Sequence, residues 1–501
     1  MLVTFIYVIL MFVVMIFLYT YALHFYRDFV GLPPGPLPLP ILGNLHQLGM
    51  DVHEIFRMLS KKYGSVMRIL IGSEVSIVVC GTSETLEGLV TKGAEFAGRK
   101  PTYTISLTSS GGVGIAFADY SPRWKFFRKI CHLSMKMYGD GLQTIENLVT
   151  TESRELHKRF DAQLGVPLNV HHDLGLAVCN VVSAMVFGSR YETDNPDFHD
   201  LIDSNTEFVQ GFQYDSYIDV FPMLRVFPNR RIKTIRHAIG LRNPIIKRHL
   251  KEHKENFNPE NEGQADLDLT YAFLTTLHRA EKEDSTVKQY LSDELLLAVL
   301  DDMIGAGSET TLTVLRWSVV YLVIHQEVQQ KCFDEINSKI GRQRLPGCKD
   351  RPLLNYVMAF VHETLRMSSI APMAVPHKTT CDTTIGGYPI PKNTQVIFNI
   401  YALHRDEKEW DEPLKFKPER FLDSTGKPLQ PGHHRAYLPF SAGRRGCLAE
   451  ALAKIELFLV ISQLIAKYRF LPDLSAPLPS MVGVPGLFLG PEPHKIIIEK
   501  R

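Results

Sequence analysis

The stretch FSAGRRGCLAEALAKIELFL, residues 440–459, sets one cysteine between a glycine-rich basic loop and a run of strong helix formers. Gly443 and Gly446 permit backbone conformations closed to other residues. From Leu448 onward the sequence favours a helix that starts at Cys447. At a helix N-terminus the dipole and free N–H groups favour a thiolate, and Arg444 and Arg445 add positive charge. Most free cysteines are small buried hydrophobes. This context instead suits a held thiolate, the kind of axial ligand that pushes electron density onto haem iron and favours O–O cleavage.

Three further clusters could carry chemistry. IGAGSETT, residues 304–311, puts Gly305 and Gly307 inside a helical pattern. Each costs about 1 kcal/mol relative to alanine, so something must approach that backbone closely. Glu309, Thr310 and Thr311 bring polar groups to an apolar segment. WKFFRK places Trp124 and Arg128 at i,i+4 on one helix face, a spacing that an amphipathic helix with a snorkelling arginine also gives. ETLR places Glu363 and Arg366 at i,i+3, with Arg420 downstream in FKPERF; by itself this is equally a solvated surface pair.

The elements that must position these residues are mainly helical. The chain has 501 residues, net charge +1 and seven scattered cysteines. That balance argues against nucleic acid as the main partner, and the cysteine spacing against a disulfide framework or zinc site. Residues 1–25 contain no Asp, Glu, Lys or Arg, a run long enough to cross a bilayer. We expect a transmembrane anchor over 1–26, a proline-rich hinge over 27–45 (LPPGPLPLP) and a catalytic domain over 46–501. Arg27, Arg57, Lys61 and Lys62 place that domain on the cytoplasmic side. SVMRILIG, EVSIVVCG and IGGYPIPKNTQVIFN read as strands. Helices are expected near 293–325, 327–340 and 354–367, and residues 277–294 as a charged surface loop with short helical pieces.

FSAGRRGCLA resembles the haem-thiolate loop of the cytochromes P450, F-x-x-G-x-R-x-C-x-G, at Phe440, Gly443, Arg445 and Cys447, with Ala449 in place of the last glycine. ETLR, FKPERF, IGAGSETT and WKFFRK follow the family's motifs and order. The resemblance implies the P450 fold, mainly α with minor β sheets, around haem b (iron protoporphyrin IX). It implies Cys447 as the iron ligand, and Arg99, Trp124, Arg128, His377 and Arg445 as propionate contacts. Thr310 would hydrogen-bond dioxygen and Glu309 would help deliver protons. Glu363, Arg366 and Arg420 would form a structural charge network. The apolar pocket would be lined near Thr108, Ala306, Val375, Leu487 and Phe488, with Asp302, Asn205, Thr206 and Arg242 as candidate polar anchors.

The chain carries no complete G-x-G-x-x-G after a strand. The resemblance therefore implies electrons from NADPH through NADPH–cytochrome P450 reductase, docking on Arg123, Lys125, Lys129 and Arg444. It implies a single-pass protein of the endoplasmic reticulum membrane with its catalytic domain in the cytoplasm. VGIAFADYSPRW and the stretch from Ala371 to Pro413 are most similar to the branch of steroid 17-alpha-hydroxylase/17,20-lyases. That branch implies a monooxygenase acting on a small apolar substrate, a steroid hydroxylated at carbon 17. Its lyase step is boosted by cytochrome b5 through two arginines. Arg351 matches one and His362 replaces the other, which leaves the lyase step open. A broad xenobiotic or fatty-acid hydroxylase, and a non-catalytic haem-containing steroid-binding protein, are the alternatives.

Overall fold

Ser292 begins the longest interior helix, Asp293–Ile324, by accepting the Leu295 N–H on its side chain. Asp293 and Glu294 in the first turn complement the dipole. Beyond this cap the helix is buried along most of its length, from Leu295 to Val323. A helix apolar nearly all round belongs in the middle of a large core. Helices Pro122–Gly139, Leu142–Asp161, His171–Phe187, Arg230–Asn256, Asn355–Ser368 and Glu450–Lys467 surround it. Together they enclose one large apolar cluster that includes Phe127, Val182, Leu300, Trp317, Phe360 and Phe458.

The sheets are small. β1 (Val66–Ile71) and β2 (Glu74–Val79) form an antiparallel pair. β2 pairs in parallel with β6 (Gln395–Phe398), which takes β3 (His377–Lys378) on its other edge. β4 (Thr383–Ile385) with β5 (Tyr388–Ile390), and β7 (Tyr468–Pro472) with β8 (Ile496–Lys500), are separate two-stranded ribbons. The alternation in SVMRILIG and EVSIVVCG thus folds as expected. The architecture is mainly α with minor sheets.

The computed structural model describes residues 2–139, 142–212, 217–259, 268–283, 290, 292–430 and 432–501. Of residues 2–3, 17–18, 21–29, 109–110, 136–139 and 142–144 it describes the backbone alone. A first helix spans Leu2–Phe29, and the side chains of residues 4–16 are all exposed. Among the described residues no helix is long and apolar enough to cross a membrane. The expected anchor falls partly on side chains outside those residues. The proline-rich segment that follows lies against β1. The Pro34 carbonyl accepts the Arg68 N–H and the Pro33 carbonyl accepts Arg68 Nη1. At Gly35 any Cβ would overlap the Arg68 carbonyl, so glycine is needed for this close approach.

Two expectations need correction. Residues 277–283 are not loop: they complete the helix Leu269–Glu283. Leu269, Phe273 and Leu277 are buried at helical spacing, and this stripe carries the helix into a charged last turn. Residues 284–289 and 291 of the expected loop lie outside the described residues. The C-terminal helix starts at Glu450, not at Cys447, with Ala449 as its N-cap.

Candidate functional site

Cys447 closes a tight loop. Its N–H donates to the Phe440 carbonyl at 2.9 Å, and the ring of Phe440 lies under Lys454 Nζ. Gly443 holds φ +68°, and a Cβ there would overlap the Leu89 carbonyl. This position therefore requires glycine twice over, for its left-handed backbone and for the close contact. The Cys447 side chain is exposed, yet the protein around it pushes the thiol above its ordinary pKa of 9.0. Protein atoms crowd the thiol although the residue reaches solvent. The Ala449 N–H bonds the sulfur and, with Arg128, pulls the other way. The helix N-terminus thus acts on Cys447 through a turn two residues long rather than by capping at the cysteine itself.

Four of the five expected carboxylate-binding residues interlock beside this loop. Arg445 donates Nε to Ala97 O at 2.7 Å, Nη2 to Ala118 O at 2.8 Å and Nη1 to Ile115 O at 3.3 Å. Its guanidinium lies 3.9 Å from the Trp124 ring centroid. Trp124 Nε1 also donates to Ile115 O, at 2.9 Å. Arg128 donates to Gly446 O, tying its helix to the cysteine loop. Arg99 donates to the carbonyls of Ala116, Val375 and Pro376. The fifth residue, His377, stands on β3 with Nδ1 on the Phe96 carbonyl at 2.6 Å. Burial, then Arg99, hold His377 well below its usual pKa. Burial first, then Arg99, bring Arg445 down to about 8. Positive charge is crowded here and would be relieved by an anion.

The central helix supplies the other wall. Asp302, Ala306 and Thr310 recur every four residues, so they share one face. Ala306 is exposed and Thr310 half-buried. Thr310 Oγ1 donates to Ala306 O at 2.6 Å, within its own helix. Glu309 points elsewhere: it is buried, with Thr313 Oγ1 at 3.5 Å and Arg316 nearby. Burial pushes its carboxyl up to about 7, against the pull of Arg316. The close approach expected at the two glycines comes from protein. A Cβ at Gly305 would stand 3.1 Å from Arg242 Nη1, and one at Gly307 3.2 Å from Val182.

The candidate anchors for substrate oxygens already hold protein partners. Arg242 pairs with Asp301 at 2.5 Å and reaches Asn205 Oδ1 at 3.2 Å. Thr206 bonds its own helix at Ile202 O. Asp302 accepts the N–H groups of Ile115 and Ala116. The charge network forms as expected, with Glu363 and Arg366 fully buried and Arg420 half-buried. Glu363 receives Arg366 at 2.7 and 2.8 Å, Arg420 at 3.1 Å and the Lys417 N–H at 2.8 Å. Loop 113–119 was missed as part of the site. Its signal is the glycine cluster Gly111, Gly112 and Gly114 just ahead of Trp124.

The family model of cytochrome P450 matches residues 33–498. The chain belongs to the cytochrome P450 family. It is 37% identical to a steroid 17-alpha-hydroxylase/17,20 lyase of Rana dybowskii, over 93% of this chain and 90% of the relative. It is 38% identical to the enzyme of that name from Gallus gallus, over 91% and 90%. The Homo sapiens enzyme is 32% identical over 94% and 92%. A solved zebrafish cytochrome P450 with progesterone superposes with TM-score 0.80 at 32% identity, covering 90% of this chain and 99% of that one.

Family membership implies haem and an external source of electrons, and the residues fit the group. The exposed Cys447 sulfur offers a soft ligand with an N–H and a guanidinium beside it. Arg99, Arg128 and Arg445 form a cationic cluster suited to two carboxylates, and arginine forks bind carboxylates bidentately. Haem, once bound, would supply dioxygen chemistry for a monooxygenase, and the protein would supply ligand, orientation and proton path. Thr310 and Glu309 are the two residues expected on that path. Thr310 has a hydroxyl whose present acceptor, a carbonyl one turn back, can be exchanged by rotation. Glu309 titrates near neutrality, where a proton donor works best.

Proposed function

We propose that this P450 hydroxylates a steroid at carbon 17. What supports the substrate is the agreement of relatives from frog, bird and human, each aligned over at least nine-tenths of this chain, together with the progesterone-containing zebrafish neighbour. The 17,20-lyase step is weaker here. His362 bonds Tyr437 at 2.9 Å, and burial brings its pKa down to about 4. At neutral pH it carries no charge to offer an acidic partner such as cytochrome b5. Electrons come from NADPH through cytochrome P450 reductase. Arg123, Lys125, Lys129 and Arg444 are all exposed and provide a basic face for it. Residues 1–26 anchor the protein in the endoplasmic reticulum membrane, with the body on the cytoplasmic side; the support is their lack of charged side chains.

The test is turnover of progesterone and pregnenolone with reductase and NADPH, beside a panel of fatty acids and arenes. The expected products are the 17-hydroxysteroids. Absence of both steroid product and any steroid-induced shift of the haem absorption would sink the assignment.

A further inference from the structure

Asp302 stands one turn before Ala306 and two before Thr310, on the face of the central helix where substrate is expected. Its carboxylate is nonetheless spent on the loop that follows Gly112. Asp302 Oδ2 accepts the Ile115 N–H at 2.5 Å and the Ala116 N–H at 2.9 Å. At Gly114 a Cβ would overlap that same oxygen, so the contact needs glycine as well as aspartate. The other edge of the loop faces the arginines. Ile115 O receives Trp124 and Arg445, Ala116 O receives Arg99, and Ala118 O receives Arg445 again. The Ile115–Ala116 peptide is therefore gripped from both sides: its N–H by Asp302, its C=O by Trp124 and Arg445.

We propose that Asp302 is a positioning residue for the haem: through the 115–116 peptide it fixes where Arg445 and Trp124 stand, and so sets the hold on the group from the substrate side of the central helix. This rests on the haem reading of Cys447. Peptide N–H groups that lose a buried acceptor must move to find another. Moving this peptide moves the carbonyl that orients Arg445. Two Asp302 N–H acceptances and one glycine thus connect the substrate wall to the carboxylate cradle without touching either ligand. Burial pushes the Asp302 carboxyl up to about 6, against the pull of the two N–H groups, so at pH 7.5 it is the anion that grips them.

The experiment uses full-length holoprotein and three variants: Asp302→Asn, Asp302→Ala and Gly114→Ala. The reduced CO spectrum of the unaltered protein comes first. Lack of the red-shifted thiolate band there refutes the haem-thiolate reading itself, independently of Asp302. With the band present, the readouts are haem transfer to apomyoglobin and the ferric/ferrous midpoint potential, both without substrate. Asp302→Ala should release haem about tenfold faster, the lower end of what losing an outer-shell partner costs a metal site. Asp302→Asn should fall between, because its amide oxygen still accepts both N–H groups. Gly114→Ala should shift potential and release in the same sense with no change of charge, which separates loop position from a through-space effect of the carboxylate. Unaltered release and potential in Asp302→Ala and Gly114→Ala would overturn the proposal. So would a change in steroid affinity alone, which would return Asp302 to the substrate.

Discussion

Arg445 and Trp124 share one acceptor. The Ile115 carbonyl takes both the indole N–H and a guanidinium N–H, while the guanidinium stacks on the indole at 3.9 Å. A lysine reaches one carbonyl as a point charge; it cannot span Ala97, Ile115 and Ala118 together or lie flat on a ring. Arg445→Lys should therefore speed haem loss by roughly 10- to 100-fold. Transfer to apomyoglobin measures it, and an unchanged rate would mean that Arg445 serves only the loops.

Cys447 is the one cysteine whose sulfur is exposed beside a helix N-terminal N–H and a guanidinium. Cys447→Ser keeps the size and the hydrogen bond but removes the soft ligand. The variant is expected to lose the strongly red-shifted Soret band of the reduced CO complex. Its survival would refute thiolate ligation.

Thr310 and Glu309 differ in what they face, so their replacements should differ too. Thr310→Ala removes the hydroxyl on the Ala306 face and should lower product formation by about 100-fold while NADPH consumption persists. Glu309 is neutral below about pH 7 and ionised above it. Product per NADPH should then fall as pH rises through 7, because the donor loses its proton. Glu309→Gln should give a low, flat profile over pH 6–8. A wild-type-like slope in Glu309→Gln would remove that residue from the path.

Much of this was legible in the sequence, for physical reasons that differ by element. The central helix could be read because residues 293–325 form a long, mainly apolar run of helical pattern. The cysteine loop could be read because glycine and arginine types are scarce choices at fixed spacing. The cradle was legible as a set of residues but not as a geometry. Trp124 and Arg445 meet through loop 113–119, whose backbone does the joining and whose side chains carry no such signal. Likewise Gly305 announced a close neighbour without saying that the neighbour is Arg242. Asp302 could be read as polar in an apolar segment; only the folded chain shows that peptide N–H groups claim it.

The Glu363–Arg366 pair is fully buried, and Arg366 also holds the carbonyls of His404 and Pro413. A buried pair adds little over apolar packing, but removing one partner strands the other charge. Glu363→Gln should cost about 3–5 kcal/mol. The expected result is a large fall in folded holoprotein yield and in thermal midpoint. Near wild-type stability would show that the carbonyls of His404, Pro413 and Lys415 suffice to satisfy Arg366.

Glu456, on the helix that follows the cysteine loop, has the opposite problem. It is buried, its Oε1 has no hydrogen-bond partner, and it lines a small recess with Ser153, whose hydroxyl also has none. Glu152 in the same recess is already held by Arg190 and Asn180. Burial alone pushes the Glu456 carboxyl from 4.5 up to about 8. The folded chain therefore keeps this proton after the unfolded chain has lost it. Stability is undiminished below about pH 4.5 and falls as pH climbs to about 8, by on the order of 5 kcal/mol at the top of that window. Glu456→Leu keeps the volume and removes the proton. Its gain in thermal midpoint over wild type should be small at pH 5 and large at pH 8.5. An equal gain at both pH values would show that packing, not the carboxyl, sets the difference.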